Sequence, residues 1–117
     1  MNNVSIVGRL TTTPTLNYTE TNTKYTDITI AVTRAYKNNE GWYDTDFIPV
    51  RIYHDMAHTL TSYARKGDLI GIKGRLETRI ITDDDYNKTK ETIVVADKVT
   101  FLSANTQNTN NMEEGEI

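Results

Sequence analysis

Hydrophobic and polar residues alternate along most of this chain, and the alternation predicts five strands. Successive side chains of a strand point to opposite faces, so a period of two residues indicates one buried face and one exposed face. The predicted strands are roughly residues 3–10, then Tyr25–Arg34, Thr45–Tyr53 and Asp68–Ile81, and a last strand that carries Ile93, Val95, Val99 and Phe101. The residues expected to point inward from the first four are Val4, Ile6, Leu10, Ile28, Ile30, Val32, Ile48, Val50, Ile52, Ile70, Ile72 and Leu76.

After Tyr53 the period changes from two to about 3.6, which predicts one short helix. Its apolar residues are Met56, Leu60 and Ala64, with Tyr63 beside them. Asp55 is the predicted N-cap, and Arg65-Lys66-Gly67 supplies cations and a glycine for the C-terminal end.

Between the periodic segments lie residues that favour turns. The predicted connections are a loop at Thr11–Thr23, a turn at Lys37–Gly41 and a polar hairpin tip at Asp83–Lys88. Gly71 and Gly74 interrupt the fourth strand, where glycine permits the sharp bend of a closing barrel. Pro49 cannot donate a ladder hydrogen bond, so we expect an edge or a bulge there.

The third strand is the most informative, because its outward face combines aromatic rings with a cation. Phe47, Arg51 and Tyr53 alternate with the inward residues and therefore share that face. Aromatic rings stack on nucleobases and cations contact phosphates, so a flexible polyanion with flat bases is one candidate to cover this face. A second hydrophobic layer, such as a subunit interface, is an equal alternative on this segment alone.

Length and composition restrict the classes of protein that this chain can represent. Its 117 residues, 37% of them hydrophobic, fit one domain, and no apolar run approaches the roughly 18 residues that cross a bilayer. The start does not resemble a secretory signal, so we expect a cytoplasmic, nucleoid-associated protein without a membrane partner. The absence of cysteine excludes disulfides and thiolate chemistry and fits a reducing compartment.

The net charge of −3 comes from the C-terminal segment. Residues 103–117 contain Glu113, Glu114 and Glu116 and no basic residue, so the remaining 13 acidic residues equal the 13 basic ones. A neutral body can still present one basic face. The segment is rich in Asn and Thr, which predicts a short disordered acidic tail at 103–117 after a domain at 1–102.

Two short motifs resemble metal sites, but their context argues against that function. His54-Asp-Met-Ala-His58 lacks a third ligand and starts at a strand-to-helix junction. Asp83-Asp-Asp85 begins like a calcium loop, yet Lys88 replaces the required glycine and Val94 the glutamate. With no cysteine and only two histidines, a nucleophile-base pair is hard to assemble. We therefore predict no catalytic residue, no metal and no cofactor.

Three strands, one helix and two strands form the order of the OB-fold, an all-β, five-stranded Greek-key barrel. Four short motifs also match a known family in order and spacing: Val4-Ser-Ile-Val-Gly-Arg-Leu10, Thr45-Asp-Phe-Ile48, Ala64-Arg-Lys-Gly-Asp68 and Gly71-Ile-Lys-Gly-Arg-Leu-Glu-Thr-Arg79. Through them the chain resembles the bacterial and phage-type single-stranded DNA-binding proteins over about residues 1–102.

This resemblance implies a non-catalytic protein that binds single-stranded DNA during replication, recombination or repair. It implies a homotetramer, with a dimer as the alternative. Tyr36, Phe47 and Tyr53 would present rings to bases, and Trp42 would assist them from the adjoining loop. The expected phosphate partners are Arg9, Arg34, Lys37, Arg51, Lys73, Arg75 and Arg79. Ile81 stands where many members carry a stacking Trp.

The tail differs from that of members that recruit repair and replication enzymes, because it lacks an aromatic end. Glu113, Glu114, Glu116 and Ile117 are still the expected partner-binding residues. A short-tailed paralogue, or a protein encoded by a phage or mobile element, would have such a tail.

Two alternatives stay open at this stage. The first is an OB-fold interaction module of the primosomal type, in which the aromatic face docks a protein or builds the oligomer. The second, more distant, is a nuclease that uses the acidic cluster.

Overall fold

The computed structural model describes residues 1–104 and 115–116. Seven strands and one helix form in these ranges. In chain order they are β1 (Val4–Leu10), β2 (Asn17–Tyr18), β3 (Lys24–Lys37), β4 (Tyr43–Tyr53), α1 (His54–Tyr63), β5 (Leu69–Thr82), β6 (Lys88–Ser103) and β7 (Gly115–Glu116).

Five long strands close into a barrel, and the predicted fold class is confirmed. Neighbouring strands follow the order β1, β5, β6, β4, β3, and β1 returns to β3 through Arg9 opposite Ala31. All of these pairs are antiparallel except β4 with β6, which run parallel at Val50 and Arg51. This closed order, with a helix between the third and fourth long strands, is the OB-fold.

The barrel interior holds the inward residues that alternation selected. Leu10, Ile30, Ile52 and Ile70 are buried, and Leu60 of α1 is buried with them. The helix thus adds its apolar side to a core built mainly by strands. Because one core fills one closed barrel, the positions of outward residues are fixed by strand register.

Leu76 is the exception among the predicted inward residues, and that expectation is wrong. Its side chain is 47% exposed. It has the same parity on β5 as Ile70 and Ile72, but it lies past the end of the β1–β5 ladder, which stops at Val4 opposite Gly74. Alternation therefore gives the direction of a side chain without giving its burial.

The helix ends also differ from the prediction. The N-cap is Tyr53, without a side-chain cap hydrogen bond, and Asp55 lies in the first turn, where it contacts Lys24 at 3.5 Å. The helix ends at Tyr63, so Arg65 and Lys66 follow it. Gly67 does adopt a left-handed φ of 90°, but in the turn that leads into β5.

Pro49 lies in a regular part of β4. The register with β3 runs without a shift from Tyr25 opposite Tyr53 to Thr33 opposite Thr45, so the bulge alternative is wrong. The pairing of β4 with β6 covers only Val50 and Arg51. Pro49 therefore lies where β4 has no second partner among the described strands, which agrees with the expectation of an edge.

Two further differences concern the connections. The segment predicted as a loop contains β2, whose two residues pair with Lys24 and Tyr25. In the predicted tail, Ser103 ends β6, and Gly115 and Glu116 lie opposite Phe101 and Thr100. The remainder of the tail prediction, including Glu113, Glu114 and Ile117, lies outside the described residues.

Within residues 1–104 and 115–116, no helix has the length and apolar character needed to span a bilayer.

Candidate nucleic-acid interface

The outward residues of β3 and β4 form one continuous surface, which we call the β3–β4 face. Strand register places them in facing pairs, so their neighbours are known across the strands. Its members are Tyr25, Asp27, Thr29, Ala31 and Thr33 on β3, and Thr45, Phe47, Pro49, Arg51 and Tyr53 on β4.

Phe47 is the aromatic residue that this face exposes most. It lies opposite Ala31, and its side chain is 65% exposed. Ala31 in turn lies opposite Arg9 of β1, so small Ala31 separates a ring from a guanidinium. An exposed ring beside a cation can stack on a base while the cation contacts a neighbouring phosphate.

Arg9 is held by the backbone and keeps its charge available. Its Nη1 donates to the Gly67 carbonyl at 2.9 Å. Among residues 1–104, no carboxylate lies within ion-pair distance of Arg9. Within that range, Arg9 therefore keeps guanidinium donors that a phosphate could use.

Arg51 lies on the same face, but its guanidinium group is already ion-paired with the Asp27 carboxylate. Its Nε and Nη2 each donate to an Asp27 oxygen at 2.7 Å, a two-point ion pair. Its guanidinium carbon lies 4.4 Å from the centroid of the Tyr25 ring, and Nη1 donates to the Tyr53 hydroxyl at 3.4 Å. Tyr53 is half-buried, so its ring is less available to a base than that of Phe47.

The electrostatics of this pair agree with its geometry. Burial of the Asp27 carboxyl would raise its pKa, but the hydrogen bonds and charges of Arg51 and Arg79 outweigh burial and lower the pKa below its ordinary value. The hydrogen bond to Asp27 raises the pKa of Arg51 above its ordinary value. Both side chains are ionised at neutral pH.

Arg79 connects the β5–β6 hairpin to the β3–β4 face. Its Nε donates to Glu91 at 3.1 Å, and its Nη1 lies 3.5 Å from the second Asp27 oxygen. Asp27 therefore receives two guanidinium groups, one from β4 and one from β5.

Arg34 is predicted as a phosphate partner, and the structure places it away from Phe47. It lies on the β3–β4 hairpin extension, where it binds both oxygens of Asp46 at 2.9 and 3.0 Å and approaches Asp44 at 3.6 Å. Asp46 lies opposite Val32, on the inward-pointing side of β4. The hydrogen bonds from Arg34 lower the pKa of Asp46 below its ordinary value.

The tip of the β3–β4 hairpin presents a second group of aromatic residues. Tyr36 and Trp42 are 66% and 70% exposed, and the Lys37 amine lies 5.8 Å from the Tyr43 ring centroid. Asn38 fixes the turn, since its side-chain oxygen accepts from the backbone amide of Trp42 at 3.0 Å. The predicted residues Tyr36, Lys37 and Trp42 are thus brought together at this tip.

Lys73 and Arg75 lie on a different surface, the outer side of β1, β5 and β6. Lys73 is opposite Ser5 of β1, beside an open groove lined by Val7 and Leu102. Arg75 donates to Glu77 at 2.8 Å and to Asp97 at 2.7 Å. The structure therefore divides the predicted cations between two surfaces and a hairpin tip.

Sequence reasoning missed several residues that shape these surfaces. Asp27 and Glu91 carry no sequence signal for this site, because a carboxylate is not an expected neighbour of nucleic acid. Tyr25 has the same parity on the second predicted strand as Thr29 and Ala31, and that parity places it on this face. Tyr43 and Tyr86, both exposed at hairpin tips, follow from the same turn signals that located the hairpins.

The fold and this surface define a class: an OB-fold barrel with an exposed aromatic and cationic face. Comparison with known proteins agrees, since residues 1–102 match the model of the Single-strand binding protein family. The chain belongs to this family.

Named relatives show the same similarity. The chain is 40% identical over 102 residues to the single-stranded DNA-binding protein of Bacillus cereus, covering 87% of this chain and 60% of the relative. It is 38% identical over 113 residues to single-stranded DNA-binding protein 3 of Clostridium acetobutylicum, covering 96% and 78%. Protein 1 of the same organism is 38% identical over 103 residues, covering 87% and 94%. The chain thus spans about three fifths of the Bacillus relative and nearly all of the shorter Clostridium protein.

Proposed function

We propose that this protein binds single-stranded DNA without sequence preference, by stacking bases on exposed rings and neutralising phosphates with arginine and lysine. The observation that carries the proposal is the pairing across Ala31 of exposed Phe47 with Arg9, a cation without a carboxylate partner among residues 1–104. Family membership and the names of the relatives point to the same ligand.

The binding path we propose runs along the β3–β4 face and continues to the hairpin tip. Phe47 and Tyr53 contribute rings on the face, and Tyr36 and Trp42 contribute them at the tip. Arg9, Arg51, Arg79 and Lys37 contribute charge along it. Arg34, Lys73 and Arg75 have weaker support. Arg34 lies away from Phe47 and is bound by Asp44 and Asp46, and Lys73 and Arg75 lie on another surface.

The proposed role is passive and requires no cofactor. A protein of this kind covers DNA strands exposed during replication, recombination or repair. The acidic residues of the C-terminal segment, Glu113, Glu114 and Glu116, would contact replication or repair proteins together with Ile117.

We also propose self-association into a homotetramer, with a dimer as the simpler possibility. β1 pairs with β5 from Val4 to Arg9 but reaches β3 only at Arg9 and Leu10. The other edge of Val4–Gly8 is therefore unpaired among the described strands, and the adjacent groove exposes Val7. An open strand edge beside apolar surface suits pairing with a second copy. Sedimentation equilibrium measures the oligomer directly, and a monomer at micromolar concentration would refute this part.

The test of DNA binding is a titration with oligo-dT, followed by quenching of Trp42 and tyrosine fluorescence at several salt concentrations. Binding should weaken as salt rises, with a slope of about 0.7 per neutralised phosphate on a logarithmic plot. A matched duplex should compete poorly because its bases are already stacked. Absence of binding at low salt would refute the proposal and favour an OB-fold module whose aromatic face docks a protein.

A further inference from the structure

Asp27 is the residue of the β3–β4 face that does not fit a surface built only to attract DNA. It lies directly opposite Arg51 on the neighbouring strand. One oxygen accepts from Arg51 Nε, while the other accepts from Arg51 Nη2 and also contacts Arg79 Nη1. A single carboxylate thus engages two of the arginines expected to contact phosphate.

This arrangement has the geometry of phosphate recognition. A guanidinium binds two oxygens of a carboxylate or of a phosphate through the same pair of N–H donors. The Asp27 carboxylate is about two-fifths exposed, so an incoming phosphate can approach the same donors from solvent.

Neither arginine depends on Asp27 alone for its position. The Arg51 guanidinium also rests over the Tyr25 ring at 4.4 Å and contacts the Tyr53 hydroxyl. Arg79 is also held by Glu91 at 3.1 Å. If Asp27 lost its charge, both arginines would stay at the surface with unused donors.

We propose that Asp27 is an internal competitor of DNA, whose carboxylate occupies the donors of Arg51 and Arg79 that a phosphate would otherwise use. This inference rests on the proposed binding of single-stranded DNA. A phosphate would have to displace the Asp27 carboxylate from these guanidinium groups, or the strand would make no contact with them. Arg9 has no carboxylate partner among residues 1–104, so a phosphate could bind it directly. Asp27 therefore limits affinity and allows a strand to be released.

The test compares Asp27→Asn with wild type in oligo-dT titrations from about 0.05 to 0.5 M salt, the range in which counterion release dominates. The amide keeps the shape of the side chain but removes its charge. Each added phosphate contact should steepen the logarithmic salt slope by about 0.7, which corresponds to about fivefold tighter binding at 0.1 M salt.

Glu20→Gln is the matched control, because it removes the same charge from an exposed turn. Among residues 1–104 Glu20 makes no ion pair. Its slope should equal that of wild type. If both variants tighten binding equally without a change in slope, a general charge effect explains the result and the inference is wrong.

A double-mutant cycle with Arg51→Gln separates competition from positioning. In wild type, Arg51→Gln should weaken binding only slightly, whereas in the Asp27→Asn background it should remove most of the gain. Circular dichroism and the melting temperature establish that each variant is folded. The single variant Glu91→Gln, which relieves Arg79 from the other side, gives a second test if Asp27→Asn does not fold.

The outcomes also distinguish this inference from the proposed function. If wild type binds oligo-dT and folded Asp27→Asn binds no tighter, Asp27 only positions Arg51 and the inference fails alone. If neither wild type nor the variant binds, the proposed function fails and this inference fails with it.

Discussion

At the residue scale, the neighbours of a side chain decide what it can offer to a ligand. Of the seven cations that the sequence suggested, Arg34, Arg51, Arg75 and Arg79 are ion-paired in the structure. Arg9 donates to a carbonyl instead. A count of cations would rank these residues equally, whereas the contacts distinguish them, because a paired arginine must exchange one anion for another.

Phe47→Ala should weaken binding to oligo-dT by about 1–3 kcal/mol, the usual value of one stacked base. Because Phe47 is 65% exposed, the substitution should leave the melting temperature and the oligomer unchanged. Fluorescence titration and sedimentation measure the two effects. Tyr18→Ala is the control, since Tyr18 is an exposed ring of β2 that lies opposite Lys24, outside the β3–β4 face. If Phe47→Ala dissociates the oligomer, the ring belongs to a protein interface.

The lowered pKa of Asp27 predicts a pH dependence of stability. A carboxylate whose pKa is lower in the folded state contributes stability above its unfolded pKa of about 3.9 and loses that contribution as the pH falls through the folded value. The difference in melting temperature between wild type and Asp27→Asn should be constant from about pH 5 to 8. It should then shrink below about pH 4. A difference that grows on acidification would contradict the lowered pKa.

At the scale of elements, the close approach of β5 and β6 explains why position 74 is a glycine. The sequence alone predicted only a bend there. The register of β5 and β6 shifts between Lys73 and Gly74. A Cβ at Gly74 would collide with the backbone carbonyl of Val95, whereas one at Gly71 would stay at 3.7 Å or more from its neighbours. Only the former position therefore requires glycine for space.

Gly74→Ala should destabilise the protein by about 1–3 kcal/mol, the usual cost of overpacking. Gly71→Ala places the same methyl group on the same strand in ordinary van der Waals contact, so its effect should be much smaller. Urea unfolding of both variants measures the difference. Equal stabilities would show that β6 can move away from β5 at no cost.

At the scale of the whole molecule, the closed barrel decides which apolar residues are buried. Other apolar residues have the same alternation along a strand but lie outside the core. Leu60 is fully buried among strand residues, whereas Leu76 has the inward parity of β5 but is 47% exposed. The burial of a side chain therefore depends on its position relative to the closed barrel as well as on its direction.

Leu60→Ala should cost about 2–5 kcal/mol of unfolding free energy, because it leaves a cavity in the core. Leu76→Ala makes the same chemical change on an exposed position, and its cost should stay within about 0.5 kcal/mol. Thermal unfolding of the pair is the measurement. A large loss for Leu76→Ala would indicate that another subunit covers the hairpin, which a concentration-dependent melting temperature would reveal.

Periodicity alone predicted the five long strands, the helix and the outward direction of Phe47, and the order of these elements predicted the fold class. These follow from periodicity, and periodicity is a local consequence of backbone geometry that any extended segment obeys. The family motifs then indicated the class of ligand. The predicted N-cap was wrong because capping depends on the backbone angles of one residue. Here that residue is Tyr53, and its extended angles are those of the preceding strand.

The contacts between distant side chains could be read only from the folded chain. Asp27 and Arg51 are 24 residues apart in sequence, and Asp27 and Arg79 are 52 apart. Their contact depends on the register of three strands, and register is fixed by the packing of the closed barrel. The predicted cations lie on different surfaces for the same reason. One local pattern is compatible with several strand pairings, and the pairing that forms decides on which surface each cation lies.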